Sequence, residues 1–379
     1  MRVGIRLVIA ASRIITALLL GVMLVALVMP SGRAAPAQTQ ALLFTAIDLN
    51  PSGFSFSVAE GISGGQQVGF GFGPATGGRD HALLWRGSAA SVVDLHPPEF
   101  TYSEAHAICG DKQVGNGSNH ALLWRGSAAS VVDLHPSGVA ISVAQGVSGG
   151  EQVGSAPGEC CGVPGHALLW RGTAASVVDL HPHPSDFSDF EALGTWEGQQ
   201  VGWGSVSVGG GPGHAHALLW RGSAASEVDL HPSGFTESRA NGVSDEQQVG
   251  EGVTTEGFYH ALLWRGTAAS VMDLNPSGFG YSKAHATNGK EQVGEGDPKL
   301  PPAGFVHALL WSGGASRVVD LHTFLPPGFV ESRAWGIDET GDVVGEARIT
   351  DLQSHAFLWK RNISKPGTSR VQNALRCQP

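Results

Sequence analysis

The stretch HALLWRGSAASVVDLHPSG, from His120 to Gly138, brings two histidines, a tryptophan and an aspartate close together. These residue types could form a catalytic or metal-binding set, but the pattern recurs along the chain. A His-Ala-(Leu or Phe)-Leu-Trp motif begins at His81, His120, His166, His216, His260, His307 and His355, at intervals of 39 to 50 residues. A period of this length is typical of repeat architectures.

Each repeat contains four short candidate strands, which we name strands A to D. Strand A is the His-Ala-Leu-Leu-Trp segment, and strand B, such as Val92–Leu95, follows a short glycine-containing turn. Strand C, such as Val58–Ile62, and strand D, such as Gln67–Phe70, are joined by a second tight turn. Such turns join antiparallel neighbours. The pattern therefore predicts an all-β fold, a seven-bladed β-propeller with four-stranded antiparallel blades.

The two ends of the repeat region predict how the ring closes. The first repeat begins with a strand B around Ile47, whereas the last strand A, His355–Trp359, has no strand B after it. Pairing the C-terminal strand with the N-terminal strands leaves no open sheet edge, which would be an aggregation hazard. The alternative, an open solenoid, needs distinctive polar caps at both ends, and we find none in the sequence.

The repeat boundaries divide the chain into three segments. We expect a signal peptide at 1–37, a propeller at 38–359 and a basic, flexible tail at 360–379. The blades are expected at 41–73 together with 355–359, 81–117, 120–155, 166–204, 216–252, 260–296 and 307–346.

The first 37 residues have the features of a secretory signal peptide. Three arginines form a basic start, Ile14–Met29 is a largely apolar run of 16 residues, and small residues precede a cleavage point between Ala37 and Gln38. This run is short for a bilayer span, which needs about 20 residues. An uncleaved membrane anchor is the alternative. Cleavage predicts a secreted or cell-envelope protein without stable membrane insertion.

The charge of the chain argues against a nucleic-acid partner. The whole chain carries a net charge of −10. Residues 1–37 hold four arginines and the tail holds five basic residues, neither with an acid, so residues 38–359 carry −19. Phosphate binding needs clustered lysines and arginines. We expect a monomer without a nucleic-acid partner.

Four cysteines are present, Cys109, Cys160, Cys161 and Cys377. A secreted protein can oxidise them, and four cysteines allow three pairings between which the sequence does not choose. Thiols without a structural role are the alternative.

The histidine, tryptophan and aspartate of the repeats are interpreted as structural. They recur in nearly every repeat, whereas an enzyme needs one site. Equivalent residues on different blades lie about 10 Å or more apart because whole sheets separate them, but metal ligands lie about 2 Å from the ion. We therefore expect no catalytic residues, no metal and no cofactor from the following set: His81, Trp85, Asp94, His120, Trp124, Asp133, His166, Trp170, Asp179, His216, Trp220, Asp229, His260, Trp264, Asp273, His307, Trp311, Asp320, His355 and Trp359.

A second histidine follows strand B in five repeats, and asparagine replaces it in two, at Asn50 and Asn275. Because asparagine substitutes so readily, we favour a role in capping the strand end before a turn. The alternative is a pH-sensitive rim, since histidine titrates near pH 6.5. These histidines are His96, His135, His181, His231 and His322.

The connections between strands D and A are the most variable part of the repeat, and loops on a rigid scaffold commonly carry function. They hold aromatic residues that suit a carbohydrate or a protein partner. Trp203 and the Phe258–Tyr259 pair are the strongest candidates because other repeats lack them. The alternative is that such rings fold back over the blade ends. The candidate ligand-binding residues are Trp203, Phe258, Tyr259, Phe70, Phe72 and Phe305.

The motif resembles the HAF-family extracellular repeat proteins. The last unit, His355–Trp359, reads His-Ala-Phe-Leu-Trp, and Gly341–Gly345, Gly-Asp-Val-Val-Gly, is similar to the Gly-x-x-Val-Val-Gly type of strand that accompanies it. The resemblance covers about residues 41–359. It implies a secreted protein and transfers no catalytic residues. Leucine replaces phenylalanine in six units, and Asp-Leu-His-Pro stands where the family has Asp-Leu-Gly more often.

These observations favour a non-enzymatic binding scaffold for carbohydrate or a surface protein. One alternative is a carbohydrate-active enzyme, a lyase or glycoside hydrolase, on the same scaffold. That alternative would require two carboxylates, or a histidine and an acid, to converge at the centre of the ring outside the repeat positions. The other alternative is an inert structural module of the cell envelope.

Overall fold

The computed structural model describes residues 43–158, 165–181, 187–206, 213–299, 304–350 and 353–362. Within these ranges the chain forms strands and one-turn 3₁₀ helices, and no α-helix. The expected signal peptide and its cleavage point, Cys160, Cys161, Cys377 and residues 363–379 of the expected tail lie outside the described residues.

The strands are numbered in chain order. They are β1 (Phe44–Asp48), β2 (Phe56–Ser63), β3 (Gln66–Phe72), β4 (His81–Trp85), β5 (Val93–Asp94), β6 (Ser103–Cys109), β7 (Lys112–Gly117), β8 (His120–Trp124), β9 (Val132–Asp133), β10 (Val143–Ser148), β11 (Glu151–Ala156), β12 (His166–Trp170), β13 (Val178–Asp179), β14 (Phe187–Trp196), β15 (Gln199–Val206), β16 (His214–Trp220), β17 (Val228–Asp229), β18 (Phe235–Ser244), β19 (Gln247–Thr254), β20 (Tyr259–Trp264), β21 (Met272–Asp273), β22 (Phe279–Thr287), β23 (Gln292–Pro298), β24 (His307–Trp311), β25 (Val318–Asp320), β26 (Glu331–Ile337), β27 (Val343–Thr350) and β28 (Gln353–Arg361).

These strands form seven four-stranded antiparallel sheets, and the predicted propeller is confirmed. Blades 1 to 6 are β2–β5, β6–β9, β10–β13, β14–β17, β18–β21 and β22–β25. Blade 7 combines β26, β27 and β28 with β1 from the start of the described chain. Ala46 lies opposite Trp359 and Ile47 opposite Leu358, so the ring closes by the predicted pairing.

The expected blade boundaries are wrong by half a repeat. They placed strands A and B of one repeat with the following C and D, as in 81–117, whereas each sheet has the order C–D–A–B. The reason is that strand B pairs only with strand A, through as few as two residues, and the connection after it crosses to the next blade. Strand β28 also continues past Trp359, so Lys360 and Arg361 belong to blade 7 and not to a tail.

The order of strands places different connections at the two ends of the blades. Strands C of neighbouring blades lie against each other round the ring, so C is the innermost strand and B the outermost. The C–D and A–B turns lie at one end, which we call the turn rim. The D–A and B–C connections lie at the other end, which we call the loop rim.

Seven apolar clusters fill the spaces between blades. Trp124 of blade 2, for example, packs with Val68, Leu84 and Leu95 of blade 1. The tryptophan of strand A occupies the corresponding place at every blade interface and is fully buried in each. Both faces of strand A are therefore covered, which explains why strand A is apolar on both faces.

The polar residues of the repeat form a hydrogen-bond network between neighbouring blades. His81 Nδ1 lies 2.8 Å from Asp94 Oδ2, and Asp94 Oδ1 accepts from the His96 backbone N–H. His96 Nδ1 lies 2.9 Å from the hydroxyl of Ser103 in blade 2, which also accepts from the Ala82 N–H in blade 1. The network thus satisfies polar groups at the junction of two blades.

The same contacts recur round the ring. In all seven repeats the histidine of strand A lies 2.7 to 2.9 Å from the aspartate of strand B. Where asparagine replaces the second histidine, the serine hydroxyl donates to its Oδ1, as Ser282 does to Asn275. The amide oxygen can only accept a hydrogen bond. The histidine at the same position therefore accepts from the same serine hydroxyl through Nδ1, which requires the neutral ring.

A close approach of two strands explains the glycine that ends the Val-Gly pair of strand D. Strand C carries a β-bulge, and in blade 3 the register shifts between Ala144 and Gly146. The bulge brings the Val143 carbonyl oxygen over Gly154, where a Cβ atom would lie 1.9 Å from it. Every equivalent glycine in the other six blades meets a strand C carbonyl oxygen at 1.8 to 2.0 Å. No other residue fits without moving the backbone.

Replacing Gly154 by alanine is therefore expected to destabilise the protein by about 3 kcal/mol or more, because the new methyl group clashes with backbone. Gly150→Ala in the turn of the same blade is the matched control, since a Cβ there has nothing within 4 Å. Chemical denaturation of the two variants measures the difference. Equal stability of both variants would contradict the close approach.

Acid is expected to weaken the network between blades. Burial, and then the charge of the stacked first histidine, lowers the pKa of His322 to about 4. A histidine with a lowered folded-state pKa contributes stability that is complete above the unfolded value of about 6.5 and is lost as the pH falls. The free energy of unfolding should fall between pH 6.5 and 4, and less steeply in His322→Asn, which keeps the acceptor. Identical slopes would rule out this source of acid sensitivity.

Candidate functional site

Besides the D–A connections, several positions on the inner strands C and D vary between repeats. The β-bulge leaves one extra residue in strand C of each blade, between an alanine and a glycine or alanine. We call these seven the bulge residues. They are Glu60, His106, Gln145, Leu193, Asn241, His285 and Trp335.

Two further variable positions flank the bulge. The first position is the residue two places before the bulge residue in strand C. The second position lies opposite the first in strand D and directly follows the Val-Gly pair. In blades 5, 6 and 7 these positions pair a cation with a glutamate, whereas blades 1 and 3 place valine at the first position. The pairs are Arg239 with Glu251, Lys283 with Glu295, and Arg333 with Glu346.

The arginine of blade 7 is held by three carboxylates. Arg333 Nε lies 2.7 Å from Glu295 of blade 6, and its terminal nitrogens lie 3.3 Å from Glu346 and 3.8 Å from Glu331. Arg348 also contacts Glu331 at 3.2 Å. These partly buried charges link blades 6 and 7 and are satisfied by one another.

The cations of blades 5 and 6 lie over aromatic rings of the preceding blade instead. Arg239 Cζ lies 4.5 Å from the ring centre of Trp203 in blade 4, and Trp203 Nε1 donates to Glu191 at 3.1 Å. Lys283 Nζ lies 4.3 Å from the ring centre of Tyr259 in blade 5. These are cation–π contacts, which orient both partners.

A small pocket opens beside these contacts at the loop rim. Its lining comes from strands C and D of blade 5 and from Tyr259 at the start of β20, and includes Glu237, Arg239 and Glu251. Phe258 precedes Tyr259 in the short loop after β19. Phe258 is 55% exposed and Tyr259 is 40% exposed.

Of the six candidate ligand-binding residues, Tyr259 lines this pocket of blade 5, Phe258 is its neighbour in the chain, and Trp203 of blade 4 contacts the lining residue Arg239. Phe70 and Phe72 lie in blade 1 instead, where both rings contact Phe56.

The sixth candidate, Phe305, and two phenylalanines of the B–C connections lie away from this pocket. Phe305 is half-buried just before β24. Phe100 and Phe329 fold back over blade ends, with edge-on contacts at 5.9 Å to His120 and 5.7 Å to His355.

A histidine and two acids meet on the inner strands of blades 1 and 2. His106 Nδ1 lies 2.7 Å from Glu60 Oε2, its Nε2 lies 2.7 Å from Asn116 Oδ1, and Glu104 is 3.8 Å away. Burial alone would lower the pKa of His106, but the charge and hydrogen bond of Glu60, with Asn116 and Glu104, raise it to about 9. His106 is therefore a cation at neutral pH.

His285 occupies the same position in blade 6 with the opposite electrostatics. Its ring lies 4.3 Å from the ring of Trp335. Burial, then the positive charges of Lys283 and Arg333, lower the pKa of His285 to about 3. One repeat position thus carries a charged histidine in blade 2 and a neutral one in blade 6.

The histidine–acid cluster bears on the enzymatic alternative. Both ring nitrogens of His106 already have partners within the protein, and only 13% of its side chain is exposed. A general acid or base must reach a substrate proton directly or through one water molecule, and this ring is engaged on both sides. Within the described ranges, no three His, Cys, Asp or Glu side chains are placed to hold a metal ion.

Asp338 is buried, and its Oδ1 accepts from the N–H groups of Thr340 and Asp342 in the hairpin turn between β26 and β27. Cys109 is disulfide-bonded, and the other three cysteines lie outside the described residues. In the part of the chain that the structure describes, no helix is long and apolar enough to cross a membrane.

The sequence analysis missed the charged residues of blades 5 to 7. A signal was present, because Arg239, Lys283 and Arg333 stand at one position of three successive repeats and glutamate follows Val-Gly in the same three. Aligning the repeats on the alanine of strand C would have exposed it. The cation–π partners could not be found this way, because they lie on neighbouring blades.

No protein-family model and no curated protein matches the sequence. Among solved structures, the chain is similar to the β-propeller domain of the Trilobed protease from Pyrococcus furiosus, with 10% identity, a TM-score of 0.50, and 83% of this chain and 100% of that chain covered. That domain is described as having an open velcro topology, whereas β1 and β28 pair here.

The chain is also similar to puromycin hydrolase, with 11% identity and a TM-score of 0.52. The match covers 84% of this chain and 52% of that chain, so the present chain spans about half the length of the hydrolase. Identities this low show a shared propeller fold and nothing about activity.

Alkaline pH is expected to remove the contribution of His106 to the free energy of unfolding. A histidine whose pKa is raised on folding stabilises the protein fully below about 6.5 and loses that effect as the pH rises through about 9. The difference in unfolding free energy between the native protein and His106→Gln should therefore shrink from pH 7 to pH 10. His285→Gln is the matched control and should show no such change, because His285 is neutral throughout. A constant difference for His106→Gln would contradict the charged state.

Proposed function

We propose that the chain is a secreted, monomeric HAF-family repeat protein that acts as a non-enzymatic binding scaffold for carbohydrate or a surface protein. The ligand binds at the loop rim of blades 4 to 6. The observation that carries the proposal is the exposed pair Phe258 and Tyr259 beside the pocket that contains Glu237 and Arg239. Exposed aromatic rings next to hydrogen-bonding groups are characteristic of recognition surfaces.

The distribution of exposed apolar side chains supports the loop rim. Five large hydrophobic residues of the described chain are exposed, and four of them, Ile141, Phe258, Tyr259 and Val330, lie at or beside B–C and D–A connections. The fifth, Met272, lies on the outer strand β21. Phe258 and Tyr259 are adjacent, whereas Ile141 and Val330 are single exposed residues beside other blades, and adjacent apolar exposure marks interaction sites more than scattered exposure does.

The absence of enzymatic activity is proposed because His106 and the glutamates around Arg333 are engaged with partners within the protein. Both ring nitrogens of His106 have hydrogen-bond partners. Arg333 forms ion pairs with Glu295, Glu331 and Glu346. The repeat histidines and aspartates are likewise used in joining blades.

The double variant Phe258→Ser/Tyr259→Ser is expected to weaken ligand binding at least about tenfold, because paired aromatic anchors commonly contribute more than 1.4 kcal/mol. Binding would be measured on a glycan array and with purified surface proteins. Met272→Ser is the matched control, since it removes an equally exposed apolar side chain from the outer strand. Undiminished binding by the double variant would contradict the site, and no ligand in either screen would favour an inert envelope module.

A further inference from the structure

The three inner-strand cations of blades 5 to 7 occupy one position of the repeat but differ in their partners. Arg333 contacts three glutamates. Within the described residues, the side chains of Arg239 and Lys283 have neither a hydrogen bond nor an ion pair, and each lies over an aromatic ring. Acidic partners therefore occupy Arg333 but leave the N–H groups of Arg239 and Lys283 without an acceptor among these residues.

The aromatic rings hold Arg239 and Lys283 in positions where their N–H groups can bind a ligand. Arg239 is exposed, and its guanidinium lies over the ring of Trp203, which Glu191 holds in place. A guanidinium held over a ring still presents its N–H groups at the edge, in the fork that matches a carboxylate. Lys283 is placed in the same way on the exposed Tyr259.

Among the residues that the structure describes, the nearby glutamates form no ion pair with Arg239 or Lys283. Glu237 has His214 as its basic neighbour, at 3.9 Å. Glu251 is only 8% exposed and accepts from Asn241. Burial raises the pKa of Glu251, which also lines the pocket, although the charges of Lys283 and Arg239 oppose this.

We infer that the ligand of the surface beside this pocket is an acidic polysaccharide whose carboxylates are bound by Arg239 and Lys283, an inference that rests on the proposed function. Successive blades each offer one aromatic ring with one cation, Trp203 with Arg239 and Tyr259 with Lys283. A chain of uronate sugars offers the complement, with apolar ring faces to stack on aromatic side chains and a carboxylate on every ring. An acidic peptide supplies carboxylates on flexible stems without ring faces, which fits the aromatic half of the site less well.

The test uses oligogalacturonate, its methyl-esterified form, and poly-glutamate as probes, with binding to the whole secreted protein measured by calorimetry. The esterified probe keeps the sugar rings and removes the charges. Oligogalacturonate should bind at least about tenfold more tightly than the other two probes, because hydrogen bonds between charged groups contribute about 1.5–3 kcal/mol. Arg239→Gln and Lys283→Gln should each weaken this binding about tenfold. Arg265→Gln, which removes an exposed arginine from the turn rim of the same blade, should leave it unchanged.

Two outcomes would overturn the inference while leaving the proposed function intact. One is equal binding of the charged and esterified probes that still depends on Phe258 and Tyr259, which would indicate a neutral sugar. The other is preferential binding of poly-glutamate, which would indicate a protein partner. If no probe binds, the inference is overturned, and the glycan and surface-protein screens with Phe258→Ser/Tyr259→Ser decide the proposed function separately.

Discussion

The antiparallel pairing of β1 with β28 is the contact on which the ring depends. It supplies the outer strand of blade 7 from the opposite end of the chain, with Ala46 opposite Trp359. His355 and Asp48 then form the same contact, at 2.7 Å, that His81 and Asp94 form within one repeat. Because every blade presses a tryptophan against the blade before it, an unclosed ring would expose an apolar face as well as unpaired backbone groups.

The remaining regularity follows from how tightly the inner strands meet. The bulge in strand C brings a carbonyl oxygen over the glycine of strand D, and neighbouring strands C approach so closely that a Cβ on Gly242 would lie 2.7 Å from the His285 carbonyl oxygen. These approaches, with the network of histidine, aspartate and serine, fix most positions of the repeat. On the inner strands, the bulge residue, the residue two places before it and that residue's cross-strand partner differ from blade to blade.

Those free positions make a symmetric scaffold asymmetric. Blade 1 carries Val58 and Phe70 where blade 7 carries Arg333 and Glu346. Similar histidines become opposite in charge, because His106 faces two acids whereas His285 lies near two cations. A binding site built in this way belongs to the contact between blades, since Arg239 is oriented by a ring of blade 4 and Lys283 by a ring of blade 5.

The sequence by itself determined the number of blades, their four strands and the closing pair, because each depends on a local pattern repeated seven times. It also nominated Trp203 and the Phe258–Tyr259 pair, which stand out against the other repeats. Only the tertiary structure decided which strands share a sheet, since the partner of strand B depends on where the chain crosses to the next blade. It alone decided which rings hold Arg239 and Lys283, which glutamates surround Arg333, and the opposite charges of His106 and His285. Most of those contacts join residues of neighbouring blades, and a periodic sequence does not specify how neighbouring blades face each other.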